Sequence, residues 1–340
     1  MREPVTIIIL NYNGKQFLKD CLSSVLVQTY NNFEVILFDN NSDDGSIEYV
    51  KSEFTDSRII SVRSEQNLGF AGGNNEALKY CKNDLVVLLN NDTIVKESWL
   101  NELVAAMETK STIASSFVKT KGIPDKYFKT NGSVSYLMYN IMNIFPDIED
   151  EFYPNGCSLI FRKSEIGEPF DGDYFFYGED VYLGLKARFM GMKIRFVPGS
   201  VVEHFGGGSP SADSFRTFCM ERNRFLNLYC FFSVWFIIRM LPYVTLNHTV
   251  KFLYSFISKK YSTTGLIKAY LWFYFNIPLI LKKRKQLKAI KKVNEKEIIK
   301  YVTSKIVNEN SFFASIVNKI SYIYSRVIGI KPIEYYQNNK

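Results

Sequence analysis

Histidine, paired cysteine and long apolar runs are all scarce in this chain. His204 and His248 are the only histidines among 340 residues. The five cysteines, Cys21, Cys81, Cys157, Cys219 and Cys230, form no CxxC pair. An odd, scattered set argues against a zinc site and suggests reduced thiols in a cytosolic setting. No GxGxxG fingerprint is present, which weakens a dinucleotide oxidoreductase. No stretch offers the ~20 uninterrupted apolar residues of a membrane-spanning helix. Met1-Arg2-Glu3-Pro4 runs straight into a strand-like segment, so no secretory signal is expected. No internal repeat is visible.

Acid is absent from one long segment: between Arg222 and Lys292 there is no Asp or Glu. Residues 1–221 hold 21 Lys+Arg against 30 Asp+Glu, a balance of −9; residues 222–340 hold 21 against 4, a balance of +17. The overall charge of +8 therefore hides an acidic body, 1–221, and a basic tail, 222–340, suited to an anionic partner.

What is present is a strand–helix alternation. Val5 to Leu10 is a continuous, mostly apolar, β-branched run, as for a strand buried on both faces. Phe17, Leu18, Cys21, Leu22, Val25 and Leu26 follow helical spacing. Strands are expected at Phe33–Phe38, Ile59–Val62, Leu85–Leu89, Ile113–Val118, Ser158–Phe161 and, capped by Pro198-Gly199, at Lys193–Val197. Helices are expected at Ala71–Cys81, Trp99–Met107 and Val181–Met190. The order implies an α/β domain with a mainly parallel sheet. Residues 120–155 read as a loop or small mixed sheet over a site. In the tail, Phe225–Ile238 and Leu266–Leu281 are aromatic and apolar, and Lys282-Lys283-Arg284-Lys285 follows. Such a pattern suits helices lying in a membrane interface.

Polar clusters punctuate the strand ends, where open α/β sheets bind ligands. Asp39 to Ser46 follows the second strand. A carboxylate there can accept bonds from a base or ribose, although Asp, Asn, Ser and Gly also make ordinary turns. Asn67 to Asn75 is a glycine-rich helix entry whose backbone N–H groups can hold a phosphate, or simply a tight turn. Asn90-Asn91-Asp92 ends the strand at Leu85–Leu89, and Asp92 is an oxygen ligand candidate for Mg²⁺ or Mn²⁺. Glu179-Asp180 opens a helix. Asp180 can serve as a general base, or the pair can simply favour the positive helix end. His204 follows a strand and precedes three glycines, which favours a site role over a structural one.

Taken together, these pieces resemble family 2 glycosyltransferases with a GT-A fold, and among them the rhamnosyltransferase-like branch. The resemblance covers about residues 4–230. It rests on ThrIleIleIleLeuAsnTyrAsn at 6–13, Asp39 to Ser46, AsnLeuGlyPheAlaGlyGlyAsnAsn at 67–75 and LeuLeuAsnAsnAsp at 88–92. GlyGluAsp at 178–180, GluHisPheGlyGlyGly at 203–208 and GluArgAsnArg at 221–224 complete it. The resemblance implies a Rossmann-like, mainly parallel sheet and inverting transfer from a nucleotide-diphospho-sugar. By position, Asp180 resembles the catalytic base and Asp39 the nucleobase contact. Asp92 resembles the ligand of Mg²⁺ or Mn²⁺, and His204 a second metal ligand or a diphosphate contact. Asn11, Asn41, Asn67, Gly69, Gly72, Asn74, Asn90 and Glu179 complete the substrate-binding set. Two positions depart from the family pattern: the DXD slot keeps only its last acid, and Tyr182 stands where an acid is usual.

The branch favours dTDP-L-rhamnose as donor, with UDP-hexoses next, and a glycan or lipid-linked glycan as acceptor. A nucleotide-sugar-binding protein without catalysis is the rival reading. Nucleic acid is not an expected partner, because the tail's aromatics lie in apolar runs rather than a polar groove. The tail is expected to be peripheral on the cytoplasmic leaflet, and the oligomeric state stays open.

Overall fold

The computed structural model describes residues 3–107, 112–121, 131–145, 151–206, 213–257, 260–307 and 312–337. Parts of the expected 120–155 loop, and Gly207 and Gly208 of the glycine run, lie outside the described residues. The strands are β1 Val5–Asn11, β2 Phe33–Asp39, β3 Ile59–Arg63, β4 Leu85–Asn90, β5 Thr93–Val95, β6 Thr112–Thr120, β7 Asn131–Val134, β8 Asn140–Phe145, β9 Ser158–Arg162 and β10 Lys193–His204. The helices are α1 Lys15–Leu26, α2 Ser46–Glu53, α3 Gly69–Ala77, α4 Trp99–Ala105, α5 Lys163–Ile166, α6 Glu179–Phe189, α7 Ser214–Phe231, α8 Val234–Tyr254, α9 Thr263–Phe275, α10 Ile277–Ile290, α11 Glu295–Ile299, α12 Phe312–Val327 and α13 Ile333–Gln337.

The chain forms two compact units: Met1–Lys129 with Asp147–Leu183 and Met192–Gly208, and Thr130–Pro146 with Gly184–Gly191 and Ser209–Lys340. The first holds an eight-stranded mixed sheet in the order β3-β2-β1-β4-β9-β6-β10-β5. Its central strand explains the apolar run at the start of the chain. β1 lies between β2 and β4, parallel to both, and Val5, Ile7, Ile8 and Ile9 are wholly buried. Each such side chain contributes about 1.5–3 kcal/mol by burial. α1 follows with Leu18, Cys21, Leu22 and Val25 on one buried stripe.

Two features depart from the expected parallel pattern. β9 is inserted antiparallel between β4 and β6, and β5 pairs antiparallel with β10. β10 does not stop at Pro198-Gly199 either. A register shift between Val197 and Val201 absorbs those residues as a bulge, and pairing with β6 resumes to His204. Where β6, β9 and β10 meet, buried Trp99 donates its indole N–H to Ser116 Oγ at 3.1 Å and Ser158 Oγ at 2.9 Å. The serines satisfy the one polar atom of an otherwise apolar anchor.

The second unit carries the β7–β8 hairpin and the helices from α7 onward. Gly265 lets α9 lie close on α7, since a Cβ there would meet Thr217 Cβ at 2.7 Å. α9 and α10 meet at a 69° bend, and no single helix among the described residues is long and apolar enough to cross a membrane.

Candidate active site

The register puts four strand ends on one edge of the sheet. Asn11 lies beside Asp39, and Leu10 beside Asn90. β10 is parallel to β6, β6 antiparallel to β9, and β9 antiparallel to β4, so His204 at the end of β10 faces the same way as Asn90.

Asp92 and His204 meet on this edge. β4 ends at Asn90, and the three-residue β5 starts at Thr93, which pairs with His204. The intervening Asp92 places its Oδ2 3.1 Å from His204 Nε2, with the side chains 20% and 23% exposed. The Phe205 N–H donates to Asp92 O at 2.9 Å and closes the turn. A carboxylate and an imidazole reachable from solvent can share a divalent cation whose other positions go to phosphate and water.

Asp39 is 1% exposed, and its oxygens are engaged by its own loop and by the neighbouring strand ends. Oδ1 accepts from Asn11 Nδ2 at 3.0 Å and Ser42 Oγ at 2.5 Å; Oδ2 accepts from Ser42 N at 3.0 Å and lies 3.8 Å from Arg63 Nε. Asn11 Oδ1 in turn accepts from Asn91 Nδ2 at 2.7 Å, tying the β1 end to the β4 end. Asn41 is exposed at the loop's rim with φ +69°, a left-handed conformation that asparagine tolerates better than most residues.

The glycine-rich entry is closed by protein rather than open. Phe175 O accepts from Phe70 N at 2.6 Å and from Ala71 N at 3.4 Å, so these first α3 donors are not free to cradle a phosphate. Gly69 has φ +70°, and a Cβ there would strike Phe175 O. The expected cradle is thus a tight helix entry. Asn67 Oδ1 accepts from Asn40 Nδ2 at 2.9 Å and Gly69 N at 2.8 Å. Asn74 Nδ2 donates within its own helix to Phe70 O at 2.9 Å, and a Cβ at Gly72 would meet Leu68 Cβ at 3.1 Å.

The segment that supplies Phe175 O also delivers the acids. Phe175 and Tyr177 have φ +56° and +70°, and Gly178 has φ +78°. Left-handed backbone at two non-glycine residues is strain of the kind that gathers at functional sites. Directly after it, Glu179 and Asp180 open α6. Asp180 sits against Gly156, whose Cβ would lie 3.5 Å from the carboxyl carbon. The next residue, Cys157, accepts the Asn90 N–H at 2.9 Å. Asp180 is thereby brought to the β4 end. Burial pushes the Cys157 thiol well up, and the charges of Asp92, Cys21 and Asp180 add to it. Burial also raises Asp180 above the usual carboxylate range. Glu179 is held well above it by burial and by the Asp180 charge, and its Oε2 meets no hydrogen-bond donor among the described residues.

Residues 6–167 match the family model described as glycosyl transferase family 2. A UDP-Glc:alpha-D-GlcNAc-diphosphoundecaprenol beta-1,3-glucosyltransferase of Escherichia coli, WfgD, is 36% identical over 110 residues, covering 32% of this chain and 43% of the relative. The structure of S. aureus TarS 1-349 with UDP-GlcNAc aligns with a TM-score of 0.53 at 16% identity, over 99% of this chain and 92% of that 1-349 chain. GalNAc-T7 with UDP, GalNAc and Mn²⁺ aligns with a TM-score of 0.58 at 16% identity, over 82% of this chain and 57% of that one. These matches support a family 2 glycosyltransferase. The structural likenesses show a GT-A-like fold. The chain spans between 30% and 62% of the length of the first curated relatives it matches.

The edge adds residues that the sequence reading did not single out. Asn40 holds the glycine-rich entry through Leu68 N at 2.9 Å and Gly69 O at 3.0 Å. Asn91 bridges to Asn11, and Gly156 and Cys157 seat Asp180. Only the Asn-rich composition around Asp39 and Asp92 signalled the first two. Tyr182, at the position that departs from the family pattern, is buried with its ring 5.1 Å from Tyr174. Among the described residues no three His, Cys, Asp or Glu side chains converge as a metal cage. The Asp92–His204 pair fits a cation shared with a ligand's phosphates rather than one held by protein alone.

Proposed function

We propose that this chain is an inverting glycosyltransferase. It would move a sugar from a nucleotide-diphospho-sugar to a hydroxyl of a glycan or lipid-linked glycan in cell-surface polysaccharide synthesis. The observation that carries the reading is the convergence of Asp92, His204 and Asp180 on one sheet edge. Asp180 accepts the proton of the acceptor hydroxyl, and that oxygen attacks the anomeric carbon. The bond to the diphosphate breaks on the opposite face, its electron pair leaving with the diphosphate oxygen. A raised carboxyl suits the step, because it holds the transferred proton better than an ordinary aspartate. Asp92 and His204 would hold a Mg²⁺ or Mn²⁺ ion, which when bound neutralises the charge of the departing diphosphate. Asn11 and Asp39 fix the floor under the nucleoside end, with Asn41, Asn67 and Asn90 near its rim.

The sequence branch favours dTDP-L-rhamnose as donor. The relative named for UDP-Glc and the neighbour solved with UDP-GlcNAc support a UDP-hexose instead, and we place that first. The test is a binding and hydrolysis screen of the purified protein. It uses UDP-glucose, UDP-galactose, UDP-GlcNAc, GDP-mannose and dTDP-rhamnose, with and without Mg²⁺ or Mn²⁺. One donor should bind, and more tightly with metal. Failure of every donor to bind in either condition would overturn the reading.

A further inference from the structure

The helical unit turns its apolar surface outward. Of the twelve exposed positions on α8, only Arg239 is charged. Trp235, Ile238, Leu241, Leu246, Val250 and Leu253 recur along that side, with Trp235 72% exposed and Leu253 60%. The opposite side of the same helix is buried at Phe236, Met240, Tyr243 and Val244. α8 thus has a packed face and, among the described residues, a second apolar face that is left exposed. α12 stacks Tyr324 on Tyr243 of α8 and carries its own outward row of Ile316, Ile320 and Ile323. Contiguous outward apolar rows of this length are uncommon on a surface that meets only water.

A cavity of about 370 Å³ opens at the N-terminal end of the α8 row. Trp235, Arg239, Lys296, Lys300, Lys331 and Tyr336 line it. Two carboxylates also face it, but both are engaged: Glu295 accepts from Ser233 N at 2.7 Å, and Glu297 pairs with Lys300 at 2.6 Å. The cations outnumber the acids four to two, in a stretch of chain whose overall balance is strongly positive.

We propose that the outer face of α8 lies in the interface of an anionic lipid bilayer, with the cationic cavity taking a lipid phosphate. The apolar row enters the boundary between headgroups and acyl chains, as an interfacial helix does. Pro242 and Arg239 within the row suit a helix lying in the interface rather than one crossing it. The charge of the unit complements the negative inner leaflet. The proposal stands apart from the transferase reading, because docking is read with no donor present.

The test is flotation of the full-length protein with phosphatidylcholine vesicles and with vesicles mixing phosphatidylcholine and phosphatidylglycerol. Wild type should float with the mixed vesicles, less with the neutral ones, and less again at high salt. Trp235→Ser with Leu246→Ser should abolish flotation while far-ultraviolet circular dichroism and melting stay unchanged. Arg239→Glu with Lys331→Glu should lower binding to the mixed vesicles by about tenfold or more. No flotation of wild type, or equal flotation of the apolar double variant, would overturn the proposal. So would equal binding to neutral and anionic vesicles. A concentration-dependent dimer that the Trp235 variant abolishes, without vesicle binding, would assign the face to a second copy of the chain and overturn it as well.

Discussion

Glu179 and Glu221 are both buried glutamates on helices, and they stand in opposite electrostatic situations. In the first unit, Glu179 has no donor for its Oε2 among the described residues and a second acid beside it. In the second unit, Glu221 sits between two cations. Arg224 donates to its Oε2 at 2.6 Å and 3.2 Å, and Lys251 to its Oε1. Burial alone would raise Glu221, but the charges of Arg224 and Lys251 bring it down to about 2. Arg224 is itself anchored on Leu137 O at 3.0 Å, and Lys251 lies over the Tyr139 ring at 4.4 Å. The paired carboxylate closes a structure. The two acids at the start of α6 keep a raised proton affinity, which is where chemistry is usually found.

The sharpest way to break this contrast is at Asp180. Asp180→Asn keeps the shape and removes the proton acceptor, so sugar transfer should fall by about 10²–10⁴-fold while nucleotide binding persists. Full transfer by this variant would move the base elsewhere. Asp92→Asn tests the other side of the edge. The Mg²⁺ or Mn²⁺ concentration for half-maximal activity should rise at least about tenfold. An unchanged metal response would remove Asp92 from the cation.

The structural glutamate makes the complementary prediction. Glu221→Gln leaves Arg224 and Lys251 buried without their counter-charge, and should cost about 3–5 kcal/mol in urea unfolding. Loss below about 1 kcal/mol would show that solvent reaches the cluster. Acid should act on the same unit in two stages. Burial, then the Arg224 charge, lowers His248 to about 4 from 6.5, so its contribution is complete above 6.5 and lost as pH falls through about 4. Glu221 contributes above its ordinary 4.5, and that part is lost as pH falls through about 2. Tryptophan fluorescence of wild type against His248→Gln, followed from pH 7 to pH 4, separates the first stage.

How far the sequence led differs between these places. The run at Val5 to Leu10 and the helical spacing of Leu18, Cys21, Leu22 and Val25 were legible, because central strands and amphipathic helices write their periods directly. Asp92, His204 and Asp180 could be singled out by residue type and position at strand or helix ends. The meeting of Asp92 and His204 could not. It depends on β5, three residues long, and on a bulge that carries β10 past Pro198-Gly199. The antiparallel direction of β9 was equally hidden, since alternation reads the same both ways. Gly69 gave a local signal with two meanings. Only Phe175, more than a hundred residues on, decides between a phosphate cradle and a tight entry.

The smallest effect sharpens the comparison most, because its sign is opposite to that of Glu221. Glu179 binds its proton more tightly in the folded chain than at its ordinary value of 4.5. Its favourable contribution is therefore complete below about 4.5 and lost as pH rises through the folded value. Glu179→Gln removes the titration while keeping the size of the side chain. Relative to wild type, the variant should be level below pH 4.5 and more stable above it, by about 1–3 kcal/mol at most. Glu221→Gln, in the same pH series, should show the reverse: level with wild type at strong acid and increasingly destabilised as pH rises. Parallel curves for the two variants would mean that Glu179 has a partner as firm as Arg224, and the distinction between an acid held in tension and an acid held in place would fail.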